Sequence, residues 1–295
     1  MASLYTNQDA NKRKTWALML TFLLVVIGLG WSFSYIFANP GILYIAVFLA
    51  VAMNIGGYWY SDKLALMTSG AKPAMETEFR ELHRIVENLS IAAGIPKPKV
   101  YVMNDPAPNA FATGRDPEHA AVAVTTGLLS MMEKSELEGV IAHELSHIGN
   151  RDTLIMTVVV VLLGFVTLLS DFFIRMQFFG GGRDRDNQIG VFMMIAGFAL
   201  AIFAPIIAQL IQLAISRKRE FLADSSGALL TRYPEGLASA LTKIGAYTNP
   251  MKKANNATAH LFISNPFGAQ AFKGIHRLFM THPPIEQRVK ALMGR

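Results

Sequence analysis

Four stretches of the chain lack charged side chains over lengths that can cross a bilayer. A membrane helix needs about 20 mainly apolar residues, so the pattern predicts four spans, with Asn39-Pro40 as the tight turn between the first two. The first stretch is too long for a signal-peptide core and lacks a clear cleavage site, so we expect it to be retained. The third is short, and a buried core helix is its alternative. The four stretches are Trp16–Phe37, Gly41–Tyr60, Leu154–Ser170 and Ile189–Ile215.

Composition and charge support a membrane protein and indicate its orientation. Hydrophobic residues make up 52% of the 295 residues and charged residues only 16%, against about 25% charged in an average soluble domain. If both termini are cytosolic, the outer loop 171–188 holds only three of the 27 lysines and arginines, as the positive-inside rule requires. The net charge of +6 therefore reflects topology. Without a nucleic-acid-binding motif, we expect no nucleic-acid partner.

The predicted spans divide the chain into membrane hairpins and one cytosolic domain. A cytosolic N-terminus, residues 1–15, precedes the first hairpin at 16–60, and the second hairpin occupies 154–215. Segments 61–153 and 216–295 leave the same side of the bilayer, so we expect them to fold together. The sequence thus predicts a mainly α protein with a small β-sheet, built as a four-span membrane protein with one cytosolic domain.

Within the first cytosolic segment, the pattern predicts two helices separated by two short strands. Apolar side chains at helical spacing predict an amphipathic helix over 74–93, and Val100–Met103 and Ala120–Thr125 are the strand candidates. Ser135 with Glu138 forms a capping-box pattern. We expect that second helix to run through Asn150 and to join the third span without a break.

The second helix carries the chemical motif His143-Glu144-Leu145-Ser146-His147. Histidines at i and i+4 lie on one helix face, about 6 Å apart along the axis, so both imidazoles can reach one ion. Glu144 can act as general base toward an attacking water. Because the chain has no cysteine, thiolate zinc sites and cysteine nucleophiles are excluded. The motif predicts a catalytic Zn²⁺ site of imidazole and carboxylate ligands.

A catalytic zinc usually has three protein ligands, and Glu220 is the best candidate for the third. Both Glu220 and His147 lie a few residues from predicted spans, so both are expected at the same membrane surface. Asp224, at i+4 from Glu220, can orient a ligand histidine from behind. The alternative is a charged cluster that ends a membrane helix. His282, in a Thr-His-Pro-Pro segment, is a weaker candidate to approach the zinc.

These motifs, with Asn109-Ala110-Phe111-Ala112, Thr126-Gly127-Leu128-Leu129 and His282-Pro283, resemble the M48 family of membrane metalloproteases, and most of all its HtpX type. The resemblance covers nearly the whole chain, to the terminal helix that contains Arg288. It implies a gluzincin-like zincin domain with one Zn²⁺ per subunit. In such a site His143, His147 and Glu220 bind the metal and Glu144 is the base.

The resemblance also implies roles for residues around the metal. Asp224 and Asn150 would support the ligands, and His282 and Arg288 match positions that steady the oxyanion or the site. The segment Ala120–Thr125 looks like the edge strand along which zincins bind extended peptide. The residues of the implied substrate strand are Asn109, Ala110, Phe111, Ala121, Val122, Ala123 and Val124.

The implied function is an endopeptidase that cuts misfolded or damaged membrane proteins, or unfolded polypeptides, at the cytosolic face of a bacterial inner membrane. This activity belongs to membrane quality control and the stress response. One alternative is a CAAX-type prenyl-protein processing protease, against which the four predicted spans argue. A non-catalytic membrane scaffold is the other, and it would not need Glu144. The sequence makes no prediction of oligomeric state.

Overall fold

The computed structural model describes residues 4–36, 38–162, 217–255, 257–268 and 283–294. The predicted outer loop, the fourth span and residues 163–170 of the third span lie outside these residues, as does His282.

Two long apolar helices open the chain: α1, Leu4–Ile36, and α2, Pro40–Ser69. Asn39 ends the turn between them, because its Oδ1 accepts a hydrogen bond from the Gly41 N–H at 2.9 Å and Pro40 takes the first helical position, where no N–H is needed. Large apolar side chains such as Trp31 and Phe48 are more than half exposed, as lipid-facing residues are. Among the described residues, two helices can cross a membrane, or up to three if a bent pair forms one span.

A small mixed sheet follows, with β1 at Lys72–Pro73, β2 at Lys99–Met103, β3 at Ala110–Thr113 and β4 at Ala121–Thr125. The strand order is β1-β2-β4-β3. β4 pairs in parallel with β2 and antiparallel with β3. It is therefore an interior strand of the sheet.

The prediction that Ala120–Thr125 is an edge strand is therefore wrong. Both backbone edges of β4 are occupied by neighbouring strands, and all five of its residues are buried. An apolar side chain at nearly every position is typical of a strand covered on both faces. In the described sheet the edge beside the metal motif belongs to β3. The correction concerns four residues of the predicted substrate strand, which do not lie at an edge of the sheet: Ala121, Val122, Ala123 and Val124.

Seven helices pack around this sheet in the rest of the described chain, and the predicted fold of a mainly helical protein with a small sheet is confirmed. The one that carries the metal motif, α5, lies at the centre, where it contacts α3, α7, α8 and β3. The helices are α3, Arg80–Ala93; α4, Thr126–Met131; α5, Lys134–Gly149; α6, Asp152–Leu162; α7, Arg217–Thr231; α8, Pro234–Ala246; and α9, Ile285–Leu292.

Two helices begin elsewhere than predicted. α3 starts at Arg80 because the chain before it is still part of the sheet: the Ala74 N–H donates to the Val100 carbonyl at 2.9 Å. The capping box of α5 is Glu133 with Glu136, instead of Ser135 with Glu138, and the Glu133 N–H donates to Glu136 Oε2 at 2.8 Å. Lys243 on α8 pairs with the same carboxylate at 2.7 Å, which anchors the start of α5.

The helix of the metal motif does not continue into the third predicted span. Arg151 adopts a left-handed backbone with φ of 58°, and α5 and α6 meet there at 84°. α6 then shares a hydrophobic cluster with α1, to which Phe22 and Ile155 belong. The sharp bend thus places the metal-motif helix nearly perpendicular to a helix that packs against the first membrane helix.

Candidate metal centre

The centre forms where α5 and α7 come unusually close. A Cβ at Gly227 of α7 would lie 2.9 Å from the backbone nitrogen of His143, so only glycine permits this approach. Asp224 and Glu220 lie about one and two turns before Gly227 on α7. The contact therefore brings both carboxylates to the histidine face of α5.

His143, His147 and Glu220 converge with their ligand atoms facing one another. The two histidine Nε2 atoms are 3.2 Å apart, and Glu220 places Oε2 3.8 Å from His143 Nε2 and Oε1 3.5 Å from His147 Nε2. All three side chains are buried. Ligands at about 2.1 Å from a tetrahedral zinc lie about 3.4 Å from each other. Because two imidazole nitrogens in this position must share a proton or a cation, the donor set fits a zinc ion.

A buried carboxylate supports each histidine from behind. His143 Nδ1 lies 2.9 Å from Asp224 Oδ1, and His147 Nδ1 lies 3.1 Å from Asp152 Oδ2. When Nδ1 carries the proton of such a bond, Nε2 is left free to bind a metal. Asp224 thus lies directly behind His143, and its role in orienting a metal ligand stays a prediction.

Asp152 is a residue that the sequence reasoning missed. In the predicted continuous helix it would lie about 140° around the axis from His147, facing away from the site. The bend at Arg151 turns it back toward the imidazole. The sequence signal for Asp152 is an acidic residue just beyond the motif. It follows Gly149-Asn150, two residue types that often end a helix.

Arg288 is fully buried and holds Asp224 from α9. Its Nε and Nη2 donate to the two Asp224 oxygens at 2.9 and 2.6 Å, and its Nη1 donates to the Ile263 carbonyl at 3.1 Å. Burial alone would raise the pKa of Asp224, but hydrogen bonds from Arg288 and His143 outweigh it and lower that pKa. Nη1 also lies 3.5 Å from Glu220 Oε2, so Arg288 contacts two carboxylates of the centre.

Glu144 is buried beside the ligands, and burial raises the pKa of its carboxyl to about 7. The backbone N–H of Ala112 on β3 donates to this carboxylate. Burial would lower the pKa of His147, but the hydrogen bond with Asp152 and the charge of Glu220 dominate and raise it to about 9. A carboxyl with a pKa near neutrality can both accept and release a proton at neutral pH.

The start of the predicted substrate strand is already bonded to the protein itself. Asn109 Nδ2 donates to the Ser264 carbonyl at 2.9 Å, and the Ile263 N–H donates to the Ala110 carbonyl at 2.9 Å. Phe111 packs edge-on against Phe262, with ring centroids 5.1 Å apart. The Ala112 N–H is bonded to Glu144, so the backbone groups that β3 can offer to an added strand begin at the Ala112 carbonyl.

Asn150, predicted to help at the metal, ends α5 as its buried C-cap. Its backbone carbonyl accepts a hydrogen bond from Asn11 Nδ2 at 3.1 Å. The structure thus connects Asn150 to the amino-terminal helix. Its role in supporting the ligands stays a prediction.

The family model of Peptidase family M48 matches residues 76–295, which include the whole His-His-Glu cluster. The chain belongs to peptidase family M48. The Protease HtpX homolog of Caldanaerobacter subterraneus subsp. tengcongensis is 51% identical over 98% of this chain and 97% of its own length. The Protease HtpX homolog of Pyrococcus furiosus is 50% identical over 92% of this chain and 91% of its own.

The crystal structure of S. mikatae Ste24p shares the fold of this M48 chain. The two align with a TM-score of 0.52 at 18% identity, over 98% of this chain and 67% of the other. Membership in the family, the apolar helices and the relatives confirm the predicted membrane zinc metalloprotease.

Gly227→Ala should destabilise the protein by about 1–3 kcal/mol, the usual effect of overpacking a tight contact, because the new methyl group forces α7 away from α5. Thermal melting of the purified full chain checks this. Gly149→Ala is the matched control, since a Cβ there meets no neighbour within 4 Å. Equal melting temperatures for the two variants would contradict the close approach.

Asp152→Asn should weaken zinc binding about 10- to 100-fold, the usual effect of losing a carboxylate behind a ligand histidine. Competition with a chromophoric chelator measures the affinity. Asp116→Asn is the control. Asp116 Oδ1 lies 2.6 Å from Nδ1 of the partly exposed His119, and this pair is away from the metal ligands. Unchanged affinity in Asp152→Asn would show that this carboxylate does not support His147.

Proposed function

We propose that this M48 protease is an endopeptidase that cuts misfolded or damaged membrane proteins at the cytosolic face of a bacterial inner membrane. His143, His147 and Glu220 hold one Zn²⁺ per chain, and Glu144 is the general base. The observation that carries this proposal is the buried convergence of three ligand side chains beside a carboxyl whose pKa is raised to about 7.

When bound, zinc supplies a Lewis acid that polarises the scissile carbonyl and activates water. Asp224 and Asp152 keep the two imidazoles in the orientation that presents Nε2. Glu144 accepts a proton from the attacking water as its oxygen bonds to the carbonyl carbon. The same carboxyl then protonates the leaving nitrogen as the C–N bond breaks.

An extended substrate pairs with the edge of β3 beyond the Ala112 N–H, which itself donates to Glu144. The Ala110 carbonyl is bonded to Ile263, so the ladder between enzyme and substrate starts beyond that residue. Backbone pairing is nearly independent of side chains. Such binding fits unfolded polypeptides of many sequences better than one specific substrate.

The position of β3 beside a membrane helix supports a membrane-bound substrate. Arg115, just after β3, places its guanidinium 4.7 Å from the ring centroid of Trp59 on α2. The distribution of lysine and arginine favours four spans with both termini and the site in the cytosol. A substrate held in the same bilayer then meets the site at a high effective concentration.

Glu144→Gln should bind zinc like the wild type but lose peptide cleavage, because an amide cannot accept the proton from water. Metal-stripped protein in detergent is tested with casein before and after zinc addition, with zinc affinity measured in parallel. Full activity of Glu144→Gln would overturn the assignment of the base. If the wild type binds zinc but does not cleave casein, the result would instead indicate a specialised substrate, such as a farnesylated CAAX peptide.

A membrane-tethered unfolded segment should be cleaved faster than the same segment in solution. The expectation follows from the contact of the β3 end with α2 and from effective concentration. Initial rates in proteoliposomes at equal total substrate compare the two, with detergent-solubilised enzyme as the control in which the difference disappears. Equal rates in both settings would contradict the proposed advantage of the membrane.

A further inference from the structure

Asn11, near the start of α1, is buried although the neighbouring Lys12, Arg13 and Lys14 are exposed. Its side chain is only 5% exposed and reaches the end of the metal-motif helix. Nδ2 donates to Asp152 Oδ1 at 2.6 Å and to the Asn150 carbonyl at 3.1 Å. An amide nitrogen has two donors, and both are used here.

The carboxylate of Asp152 connects Asn11 to a metal ligand. Oδ1 accepts from Asn11, while Oδ2 faces His147 Nδ1 at 3.1 Å. Arg219 Nη1 lies farther from Oδ1, at 3.8 Å. The short bond from Asn11 therefore fixes the rotation of the carboxylate that orients His147.

The packing of α1 determines where Asn11 lies. Asn11, Thr15, Leu18 and Phe22 are buried at helical spacing along one face of α1, and Leu18 and Phe22 share a cluster with Ile155 of α6. Thr15 Oγ1 also donates to the Asn11 carbonyl at 2.9 Å. The apolar contact between the membrane helix and α6 thus holds the amide beside Asp152.

We propose that Asn11 is a positioning residue of the metal centre, through which the first membrane helix orients a zinc ligand. The proposal rests on the ligand role proposed for His147. It assigns to the amino-terminal segment a part in metal binding as well as in anchoring.

The test measures zinc affinity of the full-length protein by chelator competition in Asn11→Ala, Asp152→Asn and the double variant. Asn11→Ala should weaken zinc binding about tenfold, and the double variant should bind no more weakly than Asp152→Asn alone, because both act through one carboxylate. Asn54→Ala is the matched control. In the part of the chain that the structure describes, its amide on α2 donates within its own helix, to the Ala50 carbonyl at 2.9 Å.

Asn11→Asp separates hydrogen bonding from space filling. It keeps the size of the side chain but replaces two donors by a carboxylate facing Asp152, so zinc should bind more weakly than in Asn11→Ala. A space-filling role predicts the opposite order. This variant also tests the contact independently of any destabilisation caused by the smaller alanine.

Wild-type affinity in Asn11→Ala, or losses that add up in the double variant, would overturn the proposal while leaving the protease function intact. Failure of the wild type to bind zinc would overturn both the ligand set and the role of Asn11. Peptide cleavage at saturating zinc, with kcat lowered and KM unchanged in Asn11→Ala, gives a second supporting result.

Discussion

Burying four carboxylates in one small volume is the constraint on which the catalytic half of the molecule depends. Glu144, Asp152, Glu220 and Asp224 are each less than 5% exposed, and buried charges are tolerated only when paired and hydrogen-bonded. Arg288, on α9, compensates part of this negative charge. The imidazoles of His143 and His147 pair with these carboxylates, and the proposed zinc ion would add further positive charge. The close contact at Gly227 and the burial of an arginine both follow from the need to neutralise the same cluster.

The membrane helices and the protease share a hydrophobic core. Leu18 of α1 and Leu66 of α2 belong to the same cluster of buried residues as Met103 and Phe111 of the sheet. A second cluster, on the other side of the sheet, includes α3, α5 and α8. The sheet therefore lies between an apolar layer continuous with the membrane helices and one made by the catalytic helices. Removing α1 and α2 would expose the first of these layers to water.

The i, i+4 spacing of His143 with His147 on α5, and of Glu220 with Asp224 on α7, is local. The sequence therefore predicts which of these side chains share a helix face, whatever the helices pack against. Asp152 and Asn11 could not be predicted in this way. The position of Asp152 depends on the left-handed backbone of Arg151. The role of Asn11 depends on a contact between residues 141 positions apart. The edge strand was misassigned for a related reason, since strand order is decided by pairing. The apolar Ala-Val-Ala-Val pattern of β4 nevertheless carried the signal of an interior strand.

The described metal centre draws its parts from helices far apart in the sequence, from Asn11 on α1 to Arg288 on α9. Because α1 precedes α9 in the sequence, α1 is translated long before α9. Until then Asp224 lacks its arginine and the carboxylate cluster is not neutralised. The order of synthesis thus delays assembly of the carboxylate cluster with its arginine until α9 has been made.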